Sequence, residues 1–173
     1  MSRVAAIDCG TNSIRILVAD VTTGSDGTLS LRDVHREQRV VRLGKGVDAT
    51  GLLDPAALER TRVALADYTA VLRRKGAERV RIVATSATRD AHNREDFYGM
   101  VRATLGVDAE VISGDEEARL SFAGAVGELD REDGPFVVAD TGGGSTELVI
   151  GELTDEGAVV RAACSVEIGR AHV

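Results

Sequence analysis

The sequence predicts an α/β protein, with a mixed sheet of five strands and flanking helices, followed by the truncated beginning of a second, similar domain. Short runs rich in β-branched residues alternate with longer segments of helical periodicity, as strands and helices alternate in α/β domains. A hairpin pattern near the N-terminus also recurs near the C-terminus. The length of 173 residues suffices for one full domain and part of another.

The recurring pattern is an apolar strand, a loop of the form Asp-x-Gly-x-x-Ser, and a second apolar strand. Shifting the chain by 132 positions (140 minus 8) brings Asp8 onto Asp140 and Ser13 onto Ser145. A repeat of this length is too long for a solenoid. It indicates two similar domains that each present one phosphate loop, with the substrate held between them.

Both loops have a composition that suits phosphate binding. In the second loop, glycines 142–144 allow a close approach of the backbone, and Ser145 and Thr146 add hydroxyl donors. Asp140 and Glu147 flank this loop with carboxylates, which suit a hard cation such as Mg²⁺. An ordinary hairpin with a glycine turn is the alternative, and the repetition of the pattern argues against it.

The first domain begins with three predicted strands, at residues 4–8, 14–20 and 29–43. The third strand carries many basic residues among its apolar ones. We favour a solvated edge strand for this segment over a track that binds a polyanion. Residues 44–51 are expected to form a loop.

A long helix and a fourth strand follow that loop. Asp54 is suited to cap the free N–H groups of the helix, and Pro55 is suited to its first position. Apolar residues then recur at helical spacing until Gly76, which can end the helix. Residues 79–84 alternate in polarity and predict the strand.

Small hydroxyl residues and an arginine follow this strand, within residues 85–91. Ligands of α/β folds bind beyond the carboxyl ends of strands, so this segment is a candidate site edge. Arg89 can clamp a phosphate with two parallel hydrogen bonds, and a surface or interdomain salt bridge is the alternative. Asn93 is then expected to cap a second helix that Gly106 ends.

A third helix follows a strand predicted at residues 109–112. Ser113 or Asp115 can cap this helix, and acidic residues in a first helical turn interact favourably with the helix dipole. One carboxylate at this junction is expected to point toward the loops. Neighbouring helical positions diverge by about 100°, so Glu116 and Glu117 cannot both face the site.

The second hairpin follows a polar connection, with strands at residues 136–139 and 148–150 and a third strand at residues 159–166. No helix follows this third strand. We therefore expect the chain to be a fragment of a two-domain protein, with the first domain at residues 1–127 and the truncated start of the second at residues 128–173.

The overall charge and the cysteines exclude several classes of protein. The formal net charge of −7 argues against a nucleic-acid-binding protein, which needs a basic face. No apolar run approaches the length of a membrane span, and the N-terminus lacks the pattern of a signal peptide. Cys9 and Cys164 are the two cysteines, which favours a reducing cytoplasm over a disulfide scaffold. We interpret Cys9 as a small buried filler.

Four blocks in this order resemble the exopolyphosphatase/guanosine pentaphosphate phosphatase (Ppx/GppA) family. The resemblance covers almost the whole chain and rests on Asp8-x-Gly-Thr-Asn-Ser13, Ala84-Thr-Ser-Ala-Thr-Arg-Asp-Ala91, Ser113-Gly-x-Glu-Glu-Ala-Arg119 and Asp140-x-Gly-Gly-Gly-Ser-Thr-Glu147. It implies the actin-like, sugar-kinase and Hsp70 superfold of two ribonuclease-H-like domains. It departs at the tail, where Arg170-Ala-His-Val173 replaces the family's small residue and Val-Arg.

The resemblance also implies a reaction, release of the terminal phosphate of inorganic polyphosphate or guanosine pentaphosphate. Arg89 would orient the phosphate and Glu117 would be the general base. Asp8, Asp140 and Glu147 match positions that hold or approach a divalent cation, Mg²⁺ or a similar ion such as Mn²⁺. The residues implied to bind phosphate are Gly10, Thr11, Asn12, Ser13, Gly142, Gly143, Gly144 and Ser145.

Two other functions stay open at this point. One is an ATP-binding protein of the actin or sugar-kinase type, and the other is a module that binds polyphosphate or an alarmone without hydrolysing it. A homodimer is also left open. On the resemblance, a second half of the protein would close the cleft, so we expect residues 1–173 alone to be an inefficient enzyme.

Overall fold

The computed structural model describes residues 1–25, 27 and 29–166, and within them the chain alternates strands and helices as expected. The strands are β1 (Ser2–Cys9), β2 (Ser13–Thr23), β3 (Leu29–Val40), β4 (Arg79–Ala84), β5 (Glu110–Val111), β6 (Phe136–Thr141), β7 (Thr146–Thr154) and β8 (Gly157–Val166). The helices are α1 (Val47–Thr50), α2 (Pro55–Lys75), α3 (Ser86–Asp90), α4 (Arg94–Leu105) and α5 (Gly114–Val126), and a 3₁₀ turn spans Arg131–Asp133. Contacts divide the chain into a first unit, Met1–Val111, and a second unit, Ile112–Val173.

The first unit contains the predicted mixed sheet of five strands, in the order β3-β2-β1-β4-β5. The strands β1, β2 and β3 pair antiparallel, whereas β4 pairs parallel to both β1 and β5. The strand β3 lies at the edge, as predicted. Its basic side chains are engaged in ion pairs, for example Arg32 with Asp20 and Arg36 with Asp33, which agrees with a solvated edge strand.

Helices α2 and α4 bury one face of this sheet. The buried core includes Ile7 and Ile16 from the sheet together with Leu65 from α2 and Phe97 from α4. Tyr68, fully buried on α2, donates a hydrogen bond from its hydroxyl to the carbonyl oxygen of β2 residue 14 at 3.1 Å. The apolar periodicity of the two segments therefore produces the packing that it predicted.

The ends of α2 are as the sequence predicts. The Asp54 carboxylate accepts hydrogen bonds from the backbone N–H groups of Ala56 at 2.9 Å and Ala57 at 3.1 Å. Gly76 ends the helix with a φ of 69°, a left-handed conformation that glycine adopts without steric penalty.

Several local expectations were wrong. Part of the loop expected at residues 44–51 forms the short helix α1. The strand β5 is shorter than expected, and the segment at residues 85–91, for which no element was predicted, contains the helix α3. Asn93 precedes α4 without capping it through its side chain. Its amide instead binds the backbone of Leu53, accepting from the N–H at 2.8 Å and donating to the carbonyl at 3.1 Å.

The second unit is an antiparallel sheet in the order β6-β7-β8, with α5 packed on one face. Ala118, Phe122 and Val126 of α5 are buried together with Val149 of β7. Contacts thus assign α5 to the second unit, although the sequence placed it before the boundary at residue 127. That domain boundary stays a prediction.

The other face of this sheet carries exposed apolar side chains, with Val137 70% exposed and Ile150 47% exposed. Cys164 lies in β8 and is exposed, opposite Leu148 of β7. Among the helices of the described residues, none is long and apolar enough to cross a membrane. The tail at which the sequence departs from the family, Arg170-Ala-His-Val173, lies outside the described residues.

Candidate functional site

The first glycine loop joins β1 to β2 and is closed by a backbone hydrogen bond. The N–H of Gly10 donates to the carbonyl oxygen of Ser13 at 3.0 Å. The hydroxyl groups of Thr11 and Ser86 lie 2.8 Å apart, which links the loop to α3. The N–H of Gly44 donates to the carbonyl of Thr11 at 2.8 Å. The loop is therefore held on both sides, by the chain after β3 and by α3.

The backbone of Asn12 is fixed in the same way. Its carbonyl oxygen accepts from the N–H groups of Val41 at 3.0 Å and Arg42 at 2.9 Å. The side chain of Asn12 is exposed. These bonds hold the turn in one conformation while the side chain stays accessible to solvent.

The second glycine loop, between β6 and β7, repeats this closure. The N–H of Gly142 donates to the carbonyl oxygen of Ser145 at 2.9 Å. A Cβ added at Gly142 would stand 3.0 Å from that oxygen, so glycine allows the close turn. Ser145 is buried, at 2% exposure.

The pairing registers of the two hairpins are the same. Asp8 pairs with Arg15 in the first hairpin and Asp140 pairs with Glu147 in the second, an offset of 132 at both positions (140 minus 8, 147 minus 15). The structure thus reproduces the sequence repeat residue for residue at the loop ends. The main difference is chemical, because an exposed Arg15 stands where the second hairpin has a buried Glu147.

Each predicted metal-binding carboxylate has a distinct environment. Asp8 is half-buried, and its Oδ2 lies 3.9 Å from Nη1 of Arg15. Asp140 Oδ2 accepts a hydrogen bond from the hydroxyl of Ser121 at 2.5 Å. Glu147 is 1% exposed, and its Oε1 accepts from the hydroxyl of Ser165 at 2.9 Å.

Glu117 lies in the first turn of α5, together with Asp115 and Glu116. Ser113 caps α5 by accepting from the N–H of Glu116 at 3.2 Å, as predicted. The Glu117 side chain is half-buried, and its Oε2 is shielded from solvent. Ser121 lies one turn further on the same helical face and binds Asp140, so this face of α5 is directed at the second sheet.

Arg89 ends α3 in the first unit. Its backbone N–H donates to the carbonyl of Thr85 at 3.0 Å, and its side chain is half-buried. Its Nε lies 3.9 Å from Oδ1 of Asp90. The position follows the end of β4 as expected, and the phosphate-clamping role stays a prediction.

The predicted site residues thus fall into two sets. The first unit holds Gly10 to Ser13, Asp8 and Arg89, whereas the second holds residues 142–145, Asp140, Glu147 and Glu117. Two hydroxyl groups that bind predicted site carboxylates were missed, those of Ser121 and Ser165. Helical spacing could have indicated Ser121, because it lies four residues after Glu117.

The two carboxylates that flank the second loop, Asp140 and Glu147, are predicted ligands of a divalent cation. Within the part of the chain that the structure describes, no three His, Cys, Asp or Glu side chains form a cluster that could hold a metal ion. Asp140 and Glu147 are directly opposite on adjacent strands, so their side chains project to the same face. Mg²⁺ is commonly held by one or two protein carboxylates together with phosphate oxygens and water. Two such oxygen donors therefore fit Mg²⁺, and equally Mn²⁺.

The first loop also contains a thiol. Cys9 is buried, and burial raises the pKa of this thiol above its ordinary range. The reactive form of cysteine is the thiolate, so this side chain is poorly suited to act as a nucleophile. The interpretation of Cys9 as a buried filler is confirmed.

Two known enzymes are similar to this chain in sequence. Exopolyphosphatase 2 of Mycobacterium tuberculosis is 60% identical to this chain over 157 residues, which cover 88% of the chain and 49% of that protein. A guanosine-5'-triphosphate,3'-diphosphate pyrophosphatase of Aeromonas hydrophila is 38% identical over 151 residues, 87% of the chain and 29% of that protein. The chain therefore spans about half the length, or less, of these two relatives.

A solved structure shows the fold. The crystal structure of the Ppx/GppA family member of Aquifex aeolicus superposes with a TM-score of 0.78 at 36% identity, covering 99% of this chain and 53% of that one. The predicted ribonuclease-H-like, actin-like ATPase fold is thereby confirmed. The model of the Ppx/GppA phosphatase family matches residues 17–172. The chain belongs to the Ppx/GppA phosphatase family.

Proposed function

We propose that the protein hydrolyses the terminal phosphoanhydride bond of inorganic polyphosphate or of guanosine pentaphosphate. The observation that carries this proposal is the pair of glycine loops. The two hairpins have the same pairing register, and each loop is closed by the same kind of backbone hydrogen bond. The names of the relatives from Mycobacterium tuberculosis and Aeromonas hydrophila support it. A chain of phosphates offers two or more anionic groups, which two such loops can bind.

The residues have separate roles in this proposal. The loop N–H groups and the hydroxyl groups bind phosphate oxygens, and Arg89 orients the terminal phosphate. Glu117 accepts a proton from a water molecule as its oxygen attacks the terminal phosphorus and the bond to the bridging oxygen breaks. Asp140 and Glu147, with Asp8 as the third predicted ligand, would hold a divalent cation, which would supply charge neutralisation on the phosphate oxygens. The released products are orthophosphate and a chain shorter by one phosphate.

The two adjacent glutamates of α5 allow a matched test. In the whole protein, Glu117→Gln removes the proposed base, and we expect phosphate release to fall by about 10²–10⁴-fold with little change in substrate binding. Glu116→Gln removes the same charge about 100° around the helix, and we expect it to retain most of the activity. Equal activity in both variants would remove Glu117 from the mechanism.

Two other functions predict different results. A kinase or ATPase of the same superfold would act on ATP, and a kinase would transfer phosphate to an acceptor instead of releasing it. A module that only binds polyphosphate or an alarmone would release no phosphate with or without Mg²⁺. The carboxylate Glu117 with the sequence Ser145-Thr146-Glu147 favours hydrolysis over both.

The preferred substrate is best measured by direct comparison. Phosphate release from long polyphosphate, short polyphosphate and guanosine pentaphosphate, each with and without Mg²⁺, would identify it. The expected cytoplasmic location and the homodimer stay predictions, which cell fractionation and analytical ultracentrifugation would test.

A further inference from the structure

One face of α5 brings small and polar residues to the second sheet. Gly114, Glu117, Ala118 and Ser121 follow one another at spacings of three, one and three, which places them on one side of the helix. Ala118 is buried in the core shared with the sheet. A Cβ added at Gly114 would stand 3.2 Å from the Cβ and the Oγ of Ser165, so the first turn of α5 lies against β8.

The three strands below this face carry a polar row. Asp140 of β6 pairs with Glu147 of β7, and Glu147 pairs in turn with Ser165 of β8. Residues directly opposite one another project to the same face of a sheet. Ser121 Oγ donates to Asp140 Oδ2 at 2.5 Å, and Ser165 Oγ donates to Glu147 Oε1 at 2.9 Å. Each carboxylate of the row therefore accepts one hydrogen bond from a serine hydroxyl.

We propose that Ser121 is a positioning residue, which orients the Asp140 carboxylate so that it can bind a divalent cation; this role rests on the proposed function. The hydroxyl engages one carboxylate oxygen and so restricts rotation of the group. An ionised carboxylate has about four acceptor sites, so the same group can also contact a cation. Asp140 lies in β6, next to the second loop, and its carboxylate is oriented by a residue of another element, the helix α5.

The hydrogen bond between Ser121 and Asp140 also links two elements of the proposed site. Ser121 lies one turn after Glu117, so its hydroxyl connects the helix that carries the proposed base with the strand that leads into the loop. Removing a group that orients a metal-ligating carboxylate typically lowers metal affinity or activity by about 10–100-fold. The effect of losing Ser121 should therefore be visible in cation binding itself, before any reaction takes place.

The test measures cation affinity directly in the whole protein. Mn²⁺ alone is titrated and the free ion is followed by electron paramagnetic resonance. We expect Ser121→Ala to weaken Mn²⁺ binding by about 10–100-fold, whereas Ser121→Thr keeps the hydroxyl and retains an affinity close to that of the unsubstituted protein. Ser30→Ala, on the exposed part of the edge strand β3, is the matched control and should leave Mn²⁺ binding unchanged.

Three results would overturn the proposal. They are unchanged Mn²⁺ affinity in Ser121→Ala, an equal loss in the alanine and threonine variants, and lack of Mn²⁺ binding by the unsubstituted protein. Failure of the proposed function would look different. In that case no phosphate is released from either substrate class, while Ser121→Ala still weakens Mn²⁺ binding and Ser121→Thr still restores it.

Discussion

The support of the first glycine loop by Gly44 leads to a prediction about stability. A Cβ added at Gly44 would stand 2.4 Å from Cγ2 of Thr11 and 3.0 Å from Cβ of Ala87. Carbon atoms in contact are normally about 3.5–4.0 Å apart, so Thr11 must move by more than about 1 Å. Overpacking of this kind, with loss of the hydrogen bond between Thr11 and Ser86, should lower the free energy of unfolding by about 2–4 kcal/mol for Gly44→Ala.

A second substitution separates this clash from other effects. Thr11→Ser removes Cγ2 and keeps the hydroxyl that lies 2.8 Å from the hydroxyl of Ser86. In that background Gly44→Ala loses its closest contact and keeps the milder ones, with Cβ of Ala87 at 3.0 Å and with Cβ of residue 11 at 3.4 Å. We therefore expect the two substitutions to show a coupling energy of about 1–3 kcal/mol in a double-mutant cycle.

Urea unfolding followed by tyrosine fluorescence suits this measurement. The chain has no tryptophan, and its two tyrosines, Tyr68 and Tyr98, both lie in the first unit. The control is Gly99→Ala in α4, where an added Cβ meets no atom within 4 Å. That change should stabilise the helix by about 0.5–1 kcal/mol. An equal loss for Gly44→Ala in both backgrounds would refute the steric explanation.

Three further predictions concern acid stability and packing. Hydrogen bonds from two arginines lower the pKa of Asp20 to about 2, against about 3.9 in an unfolded chain. These ion pairs therefore stabilise the fold above about pH 4 and lose this effect as the pH falls toward 2. Asp20→Asn should flatten that part of the pH–stability profile, and an unchanged profile would contradict the assignment. Gly151→Ala would place a Cβ 2.4 Å from a backbone oxygen and 2.6 Å from a buried phenylalanine ring. Thermal unfolding should therefore show that the free energy of unfolding falls by about 1–3 kcal/mol or more. Gly124→Ala, with open space around the added Cβ, is the control and should be neutral or stabilising. Asn93→Ala removes two hydrogen bonds to the backbone of Leu53 and should lower the unfolding free energy by about 1–3 kcal/mol, in contrast to Asn93→Asp, which keeps the acceptor and should lose less.

The larger elements were predictable because their signals are local and strong. The helix α2 has a cap at Asp54, apolar periodicity and a terminating glycine at Gly76, and all three agree. The two hairpins were predictable because the same motif occurs twice, and their equal registers follow from it. Consistency between independent local signals makes such elements reliable.

The failures arise where an element is too short to show a pattern or where the deciding partner is distant in the chain. The helix α1 has only four residues, with glycines in left-handed conformations at both ends, so it is too short to show periodicity. Asn93 has the residue type of a helix cap, but its partner Leu53 lies forty positions earlier. The apolar face of α5 predicts that the helix is packed, and it does not indicate which sheet it covers. Ser121 was missed for the same reason, because its acceptor Asp140 belongs to another element.

The different environments of the two thiols make the protein suitable for labelling without any substitution. Cys9 is buried with a raised pKa, whereas Cys164 is exposed on β8. A maleimide dye should therefore attach selectively at Cys164. Successive side chains of a strand point to opposite faces, so the dye would lie away from Ser165 while remaining one residue from it. Its fluorescence could then report ion or phosphate binding at Glu147, which Ser165 contacts directly.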